Sequence, residues 1–204
     1  VGLTVLAFAF TPMASADDLY VATNGTGDGS SWANATNSIQ GAINAISGAY
    51  PTNTVWVSNG VYNAGGITNY PVNTVLTNRI AIHKAITVRS ANNDPTNTII
   101  KGDWDPATNG PAAVRCVYML TGSTLIGFTL TNGATQTTSQ EGGGVYCPES
   151  TATVISNCVL TGNSAMNVGG GVYYGTLFNC TLTSNSADYG GGGAFRSILT
   201  NCTL

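Results

Sequence analysis

Charge is scarce in this 204-residue chain: Lys and Arg number 6, Asp and Glu 9, and charged residues make up 7% of the total, against roughly a quarter in an average soluble domain. The net charge of −3 leaves no basic footprint for a phosphate backbone, so nucleic acid is not an expected partner. A single His and five Cys without a close CxxC pair leave nothing from which to assemble a zinc site or a Ser-His-Asp triad, and neither metal nor cofactor is expected. Disorder is disfavoured too, because it needs a solvating excess of one charge sign and little to bury. What is present is 43% apolar residues and 26 Gly, with Thr, Ser and Asn supplying the polar surface. An uncharged, β-rich, Gly-punctuated architecture follows.

The two ends carry different signals. Residues 1–16, VGLTVLAFAFTPMASA, combine an apolar run from Val1 to Phe10 with Pro12 and the small-x-small triplet Ala14-Ser15-Ala16. This reads as the second half of a secretory signal peptide, too short to span a bilayer, with the mature chain beginning at Asp17 and no transmembrane segment in it. A secreted or cell-surface location is the expectation. At the other end, Asn201-Cys202-Thr203-Leu204 stops within a repeat described below, so the repeat array is expected to be incomplete there.

The strongest signal is internal repetition. Asn157-Cys158-Val159-Leu160, Asn179-Cys180-Thr181-Leu182 and Asn201-Cys202-Thr203-Leu204 recur at steps of 22 residues. Interleaved with them are Gly142-Gly143-Gly144-Val145-Tyr146, Gly169-Gly170-Gly171-Val172-Tyr173 and Gly191-Gly192-Gly193-Ala194-Phe195. A unit of this length has no helical periodicity and suits three short strands and three turns, each unit stacking on the last at about 4.8 Å. The fold class expected is all-β: a right-handed, single-stranded parallel β-helix of about 22 residues per coil. Within one coil, strands are expected at Gly171–Tyr173, Thr176–Phe178 and Cys180–Thr183, with Phe178, Cys180 and Leu182 pointing inward. Asn179 suits a bend because Asn tolerates the left-handed conformation, and Asn side chains stacked along the axis can bond to one another.

Upstream, Ile39, Ala42, Ile43 and Ile46 share one helical face and predict a short N-terminal amphipathic helix capping the open core. The domain plan is thus a truncated signal peptide (1–16), an N-terminal cap (17–50) and the parallel β-helix (51–204). Further strands are expected at 54–58, 79–82, 85–90, 98–101, 113–120 and 123–131.

DLYVATNGTGDGSSWANATNSIQGAINAI, NTVWVSNGVYNAGG, TIIKGD, GFTLTNG, GGGVY and NCTLTSNSA together resemble secreted bacterial proteins with right-handed parallel β-helix repeats. The GGGxY and NCTLTxNSA rhythm is similar to polymorphic outer-membrane protein and autotransporter-passenger repeats. Pectate lyases share the superfold, and fold does not decide function. The resemblance implies a secreted or surface-exposed scaffold, adhesin-like or contacting glycan, without catalysis in this stretch; its partner would be extracellular polysaccharide or a host or cell-surface glycan. The alternative is a polysaccharide lyase or other carbohydrate-active enzyme.

For that alternative, Lys101-Gly102-Asp103-Trp104-Asp105 is the one stretch joining a base, two carboxylates and an aromatic, which makes Lys101, Asp103 and Asp105 the candidate catalytic residues. A polar turn after a strand explains the same residues. Arg79, Arg89 and Arg115 meet on one face only if their coils align. Cys158, Cys180 and Cys202 occupy equivalent positions and predict a ladder of buried thiols, while Cys116 and Cys147 sit in less regular contexts and the disulfide state of all five is open. The sequons at Asn179 and Asn201 are expected to be buried in the ladder.

Overall fold

The computed structural model of the chain describes residues 17–104, 109–149 and 152–204. The expected leader, 1–16, and Asp105 lie outside these residues. β1 (Asp18–Val21) and α1 (Ile39–Ala45) come first, after which the chain winds in coils. The first coil holds β2 (Thr54–Val57), β3 (Gly60–Tyr62) and β4 (Thr77–Ile82), and the second β5 (Thr87–Ser90), β6 (Thr98–Lys101) and β7 (Val114–Met119). The third holds β8 (Thr124–Ile126), β9 (Thr129–Thr131) and β10 (Val145–Tyr146). The fourth gains a short strand: β11 (Val154–Ser156), β12 (Val159–Thr161), β13 (Ser164–Ala165) and β14 (Val172–Tyr173). The fifth repeats it with β15 (Thr176–Phe178), β16 (Thr181–Thr183), β17 (Ser186–Ala187) and β18 (Ala194–Phe195), and β19 (Ile198–Thr200) opens another.

Equivalent strands stack in parallel into three long sheets, β1-β2-β5-β8-β11-β15-β19, β3-β6-β9-β12-β16 and β4-β7-β10-β14-β18, and a two-stranded one, β13-β17. The fold is a right-handed parallel β-helix, the hand that crossovers between parallel strands take. In the last two coils the step is regular, as the pairing of Thr183 with Thr161 and of Asn201 with Asn179 across 22 residues shows. Earlier coils are longer because loops interrupt them, Thr87 pairing with Thr124 and Thr124 with Val154.

Each sheet turns one apolar row inward. Val55, Val88, Leu125, Ile155 and Leu177 are in register on the first sheet, Ile100, Leu130, Leu160 and Leu182 on the second, and Val117, Val145 and Val172 on the third. All are buried, so the core is a stack of aliphatic layers along the axis. Between the first and second sheets the chain bends at Asn157, Asn179 and Asn201, with φ of 50°, 53° and 53°. Gly127 takes the equivalent place in the third coil with φ 79°, and a Cβ there would strike Ser90 Oγ at 2.4 Å. Asn201 Nδ2 donates to Asn179 Oδ1 at 2.6 Å, so the bend ladder forms as expected.

One expectation is corrected. Phe178 does not point inward: it is 38% exposed, while Leu177 beside it is fully buried. Strict alternation through Phe178, Cys180 and Leu182 assumes a straight strand, and the left-handed bend at Asn179 resets the phase so that Leu177 and Cys180 both face the core. Asn179 and Asn201 are also exposed rather than buried, because their side chains stack outside the bend.

α1 packs on β1, β2 and β4 through Ile39, Ala42 and Ile43. Ser38 caps its N-terminus by accepting from the Gly41 amide at 2.9 Å. At its other end Lys84 Nζ donates to the carbonyls of Ile43 and Asn44, both at 3.0 Å, and of Ile46, placing a cation where the orphan carbonyls gather. The Ala81 amide donates to Gln40 Oε1 at 2.7 Å, which latches the helix to the edge of β4.

Candidate functional site

The turn after β6 is held by backbone. Asp103 and Val114 exchange amide-to-carbonyl hydrogen bonds at 3.1 and 2.7 Å, and Gly102 runs so close to its neighbours that a Cβ would meet the Val114 carbonyl at 2.3 Å. The Asp103 carboxylate is exposed and accepts from the Trp104 amide at 3.0 Å. Trp104 is half-buried against Leu76, Ala113 and Ala134, so part of its ring area is spent on packing. Of the three candidates, the structure thus places Lys101 and Asp103 on one anchored turn, with Asp105 outside the described residues.

What the turn does touch is Arg79. From β4, Arg79 Nε donates to the Lys101 carbonyl at 2.8 Å and Nη1 donates to the Gly65 carbonyl. The side chain is 8% exposed. Desolvation holds its pKa below the usual guanidinium value, opposed by the negative influence of Cys116 and Asp103. Arg79 lines a cleft of about 620 Å³ between α1 and the β3–β4 connection, with Gln40, Asn44, Asn63 and Gly65 among the other lining residues.

The three arginines do not meet. Arg89 lies on the first sheet, its guanidinium carbon 4.7 Å from the centre of the Trp56 ring. Arg115 on β7 pairs across from Asn78, one residue away from Arg79, and enters a different environment. Its Nε donates to the Gly142 carbonyl, Nη1 to Asn78 Oδ1 and Nη2 to the Glu141 carbonyl, at 2.7, 2.8 and 2.7 Å, and it lies 4.9 Å from the Tyr146 ring centre. Complete burial lowers its pKa to about 10. His83, beside Lys84, is half-buried and stacks on Tyr70 at 5.3 Å.

Two outward rows went unread in the sequence. On the third sheet Tyr118, Tyr146, Tyr173 and Phe195 are in register, with ring centres 5.9, 5.3 and 6.0 Å apart and near-parallel planes. At the preceding rung the residue is Ala81, and Tyr70 from a loop lies 5.3 Å from Tyr118. Because the rings stack face on face, the row is largely closed to solvent: Tyr118 and Tyr173 are buried and Tyr146 and Phe195 half-buried. The last residues of the GGGVY, GGGVY and GGGAF motifs were the available signal. On the first sheet Tyr20, Trp56 and Arg89 form an outward row beside Thr54 and Thr87, and Trp32, 47% exposed, packs edge-on against Tyr20 at 4.9 Å.

The thiol ladder is present. Cys158, Cys180 and Cys202 each donate from Sγ to the carbonyl two residues earlier, at 3.3, 3.3 and 3.4 Å, and all five cysteines are free. Burial pushes the Cys116 and Cys147 thiols up to about 12. Among the described residues no group of three or more His, Cys, Asp or Glu is placed to hold a metal.

No family model and no curated protein matches the chain. Two solved structures are similar. Pectate lyase Pel9A superposes with a TM-score of 0.62 at 17% identity, over 94% of this chain and 48% of that one. Pectin methylesterase from carrot gives a TM-score of 0.47 at 15% identity, over 88% of this chain and 56% of that one. The chain spans about half the length of either, and the likeness to the lyase is one of fold.

Proposed function

We propose that the chain is a secreted β-helix scaffold that contacts extracellular glycan through the outer face of its first sheet, without catalysis in this stretch. The observation that carries the proposal is the row Tyr20, Trp56 and Arg89 with Trp32 beside it, flanked by threonine hydroxyls. Aromatic rings with an exposed face suit the apolar face of a sugar, and adjacent hydroxyls and a guanidinium suit its edge. The name of the similar lyase points to a polysaccharide, which agrees with a carbohydrate partner.

The test is a glycan array on the folded chain, followed by titration of any bound glycan into the Trp32→Ala and Trp56→Ala variants. Saturable binding weakened by both changes supports the proposal; binding unaffected by either, or no binding at all, overturns it. The enzymatic alternative has one favourable observation, the contact of Arg79 with the Lys101 turn near Asp103. Saturable polysaccharide cleavage, abolished by alanine at Lys101, Asp103 and Asp105, would establish that reading and displace the scaffold.

A further inference from the structure

We propose that the cleft between α1 and the β3–β4 connection binds a small anion, a carboxylate or a phosphomonoester, on the guanidinium of Arg79. This is a second site, lined by none of the residues of the aromatic row.

The argument starts from a count of donors. A guanidinium carries five N–H bonds. Arg79 spends one from Nε on the Lys101 carbonyl and one from Nη1 on the Gly65 carbonyl, and no side chain or carbonyl among the described residues accepts from Nη2. Two of the remaining N–H bonds are on Nη2 and one is on Nη1, donors of the kind that meet a carboxylate or phosphate in the charge-assisted pairing arginine forms.

Charge leads to the same place. Arg79 is almost wholly withdrawn from water, and carbonyl dipoles orient its cation without neutralising it. Asp103, the carboxylate that acts on it, is exposed, bonds its own neighbour's amide and forms no ion pair with Arg79. Arg115 is the internal contrast. Each of its three nitrogens has an acceptor, its charge lies over the Tyr146 ring, and Glu141 stands by, so it is fully employed in the fold. Among the described residues Arg79 has a nitrogen without an acceptor where Arg115 has none.

The walls favour an anion of modest size. Among the described residues lining the cleft, Arg79 is the one charged group, and the rest are amides, hydroxyls, glycines and apolar side chains. Among the described residues no acidic side chain lines the cleft to repel a carboxylate. A volume of about 620 Å³ falls within the range of small-molecule sites and admits a ligand of monosaccharide size or somewhat larger. Asn37, Asn44 and Asn63 offer both donors and acceptors around it.

Glucose, glucuronate and glucose 6-phosphate differ only at the sixth carbon and make suitable probes for titration calorimetry on the whole chain. Saturable binding of glucuronate or glucose 6-phosphate, at least about tenfold tighter than glucose, is expected; the tighter of the two identifies carboxylate or phosphate as the preferred group. Arg79→Lys, which keeps the charge and loses the fork, should weaken binding at least about tenfold. Since Arg79 also joins two loops, Ala64→Trp provides a variant that leaves it intact: Ala64 is exposed and lines the cleft, so the indole should abolish binding with the melting temperature unchanged. Equal affinity for glucose, absence of binding by both anions, or full binding by a folded Ala64→Trp chain would each overturn the site.

Discussion

Truncating Leu177 and Phe178 separately tests the assigned phase of the coils, because the two are adjacent and the structure gives them opposite fates. Leu177 is fully buried, in register with Ile155 on one side and Leu199 on the other. Leu177→Ala removes a branched side chain from a stack whose neighbours are fixed by their own strands, so the site can collapse little. The lost transfer energy and the residual cavity together cost about 2–5 kcal/mol. In a chain of this length each kcal/mol moves the melting temperature by roughly 2–4 °C, which places the variant about 4–20 °C below the parent. Leu199 is only half-buried, so Leu177 sits in the next-to-last covered layer and belongs toward the lower half of that range. Leu160, with Leu130 and Leu182 on either side, should give the upper half. Phe178→Ala removes a ring that is 38% exposed and creates no enclosed cavity, so it should cost less than Leu177→Ala despite the larger group removed. Urea unfolding followed by far-ultraviolet circular dichroism reads all three. A Phe178→Ala loss equal to or greater than that of Leu177→Ala would refute the assigned phase.

Tyr146→Leu should remove two ring contacts and a cation–π contact and destabilise by about 1–3 kcal/mol, whereas Tyr146→Phe keeps all three and should be near neutral in the same urea assay. Alkaline stability should fall above about pH 9, with Arg115, lowered to about 10, opposing the trend in part. Cys116 and Cys147 are raised from 9.0 to about 12 and Tyr173 from 10.0 to about 12; the folded state therefore holds protons that the unfolded state releases, stability is flat below about pH 9 and declines as pH rises toward 12. Melting temperatures constant to pH 11 would contradict this. Lys84→Met should strip three helix-end carbonyls of their donor and raise amide hydrogen exchange selectively in α1; unchanged exchange there would show that Lys84 does not anchor the cap.

What was legible in the sequence was what repeats. Asn157, Asn179 and Asn201 announced the bends because a left-handed turn narrows the choice of residue, and the Cys after each announced a small apolar filler. The phase at Phe178 was misread because alternation holds only along a straight strand, and the same Asn that marks the bend breaks the count. The tyrosine row was present in the triplicated Gly-rich motif, yet its meaning depends on outward side chains meeting rung to rung, which requires knowing that Val145 and Val172 take the inward places. Arg79 is a different case. Its two carbonyl partners come from the β3–β4 loop at Gly65 and the end of β6 at Lys101, and the cleft it lines is closed on one side by α1, which has no counterpart among the described residues of the later coils.

That contrast bears on where chemistry can sit in such a fold. A regular coil places identical residues at the inter-strand spacing, so any charge written into the repeat would face its own copy one rung away, and ladders are therefore filled with Asn, Thr, aromatic and aliphatic groups that stack favourably on themselves. Scarcity of charge is thus a condition of the repeat. Three of the cations with structural roles sit where the period breaks: Lys84 at the end of the cap helix, Arg79 between the β3–β4 loop and the end of β6, and Arg115 beneath the longer third-coil loop; Arg196, in a regular coil, donates to Tyr174 Oη instead. The first three coils, whose steps are the least uniform, hold Arg79, Lys84, Arg89, Lys101 and Arg115, five of the six basic residues. The even coils after them supply length and continue the stacked aromatic row. Arg79, the buried cation with free donors, lies toward the N-terminal end of the described coils, whereas Arg196 is exposed beside Tyr174 in the last regular one, and a ligand that needs only hydroxyls and rings has the length of the described coils available.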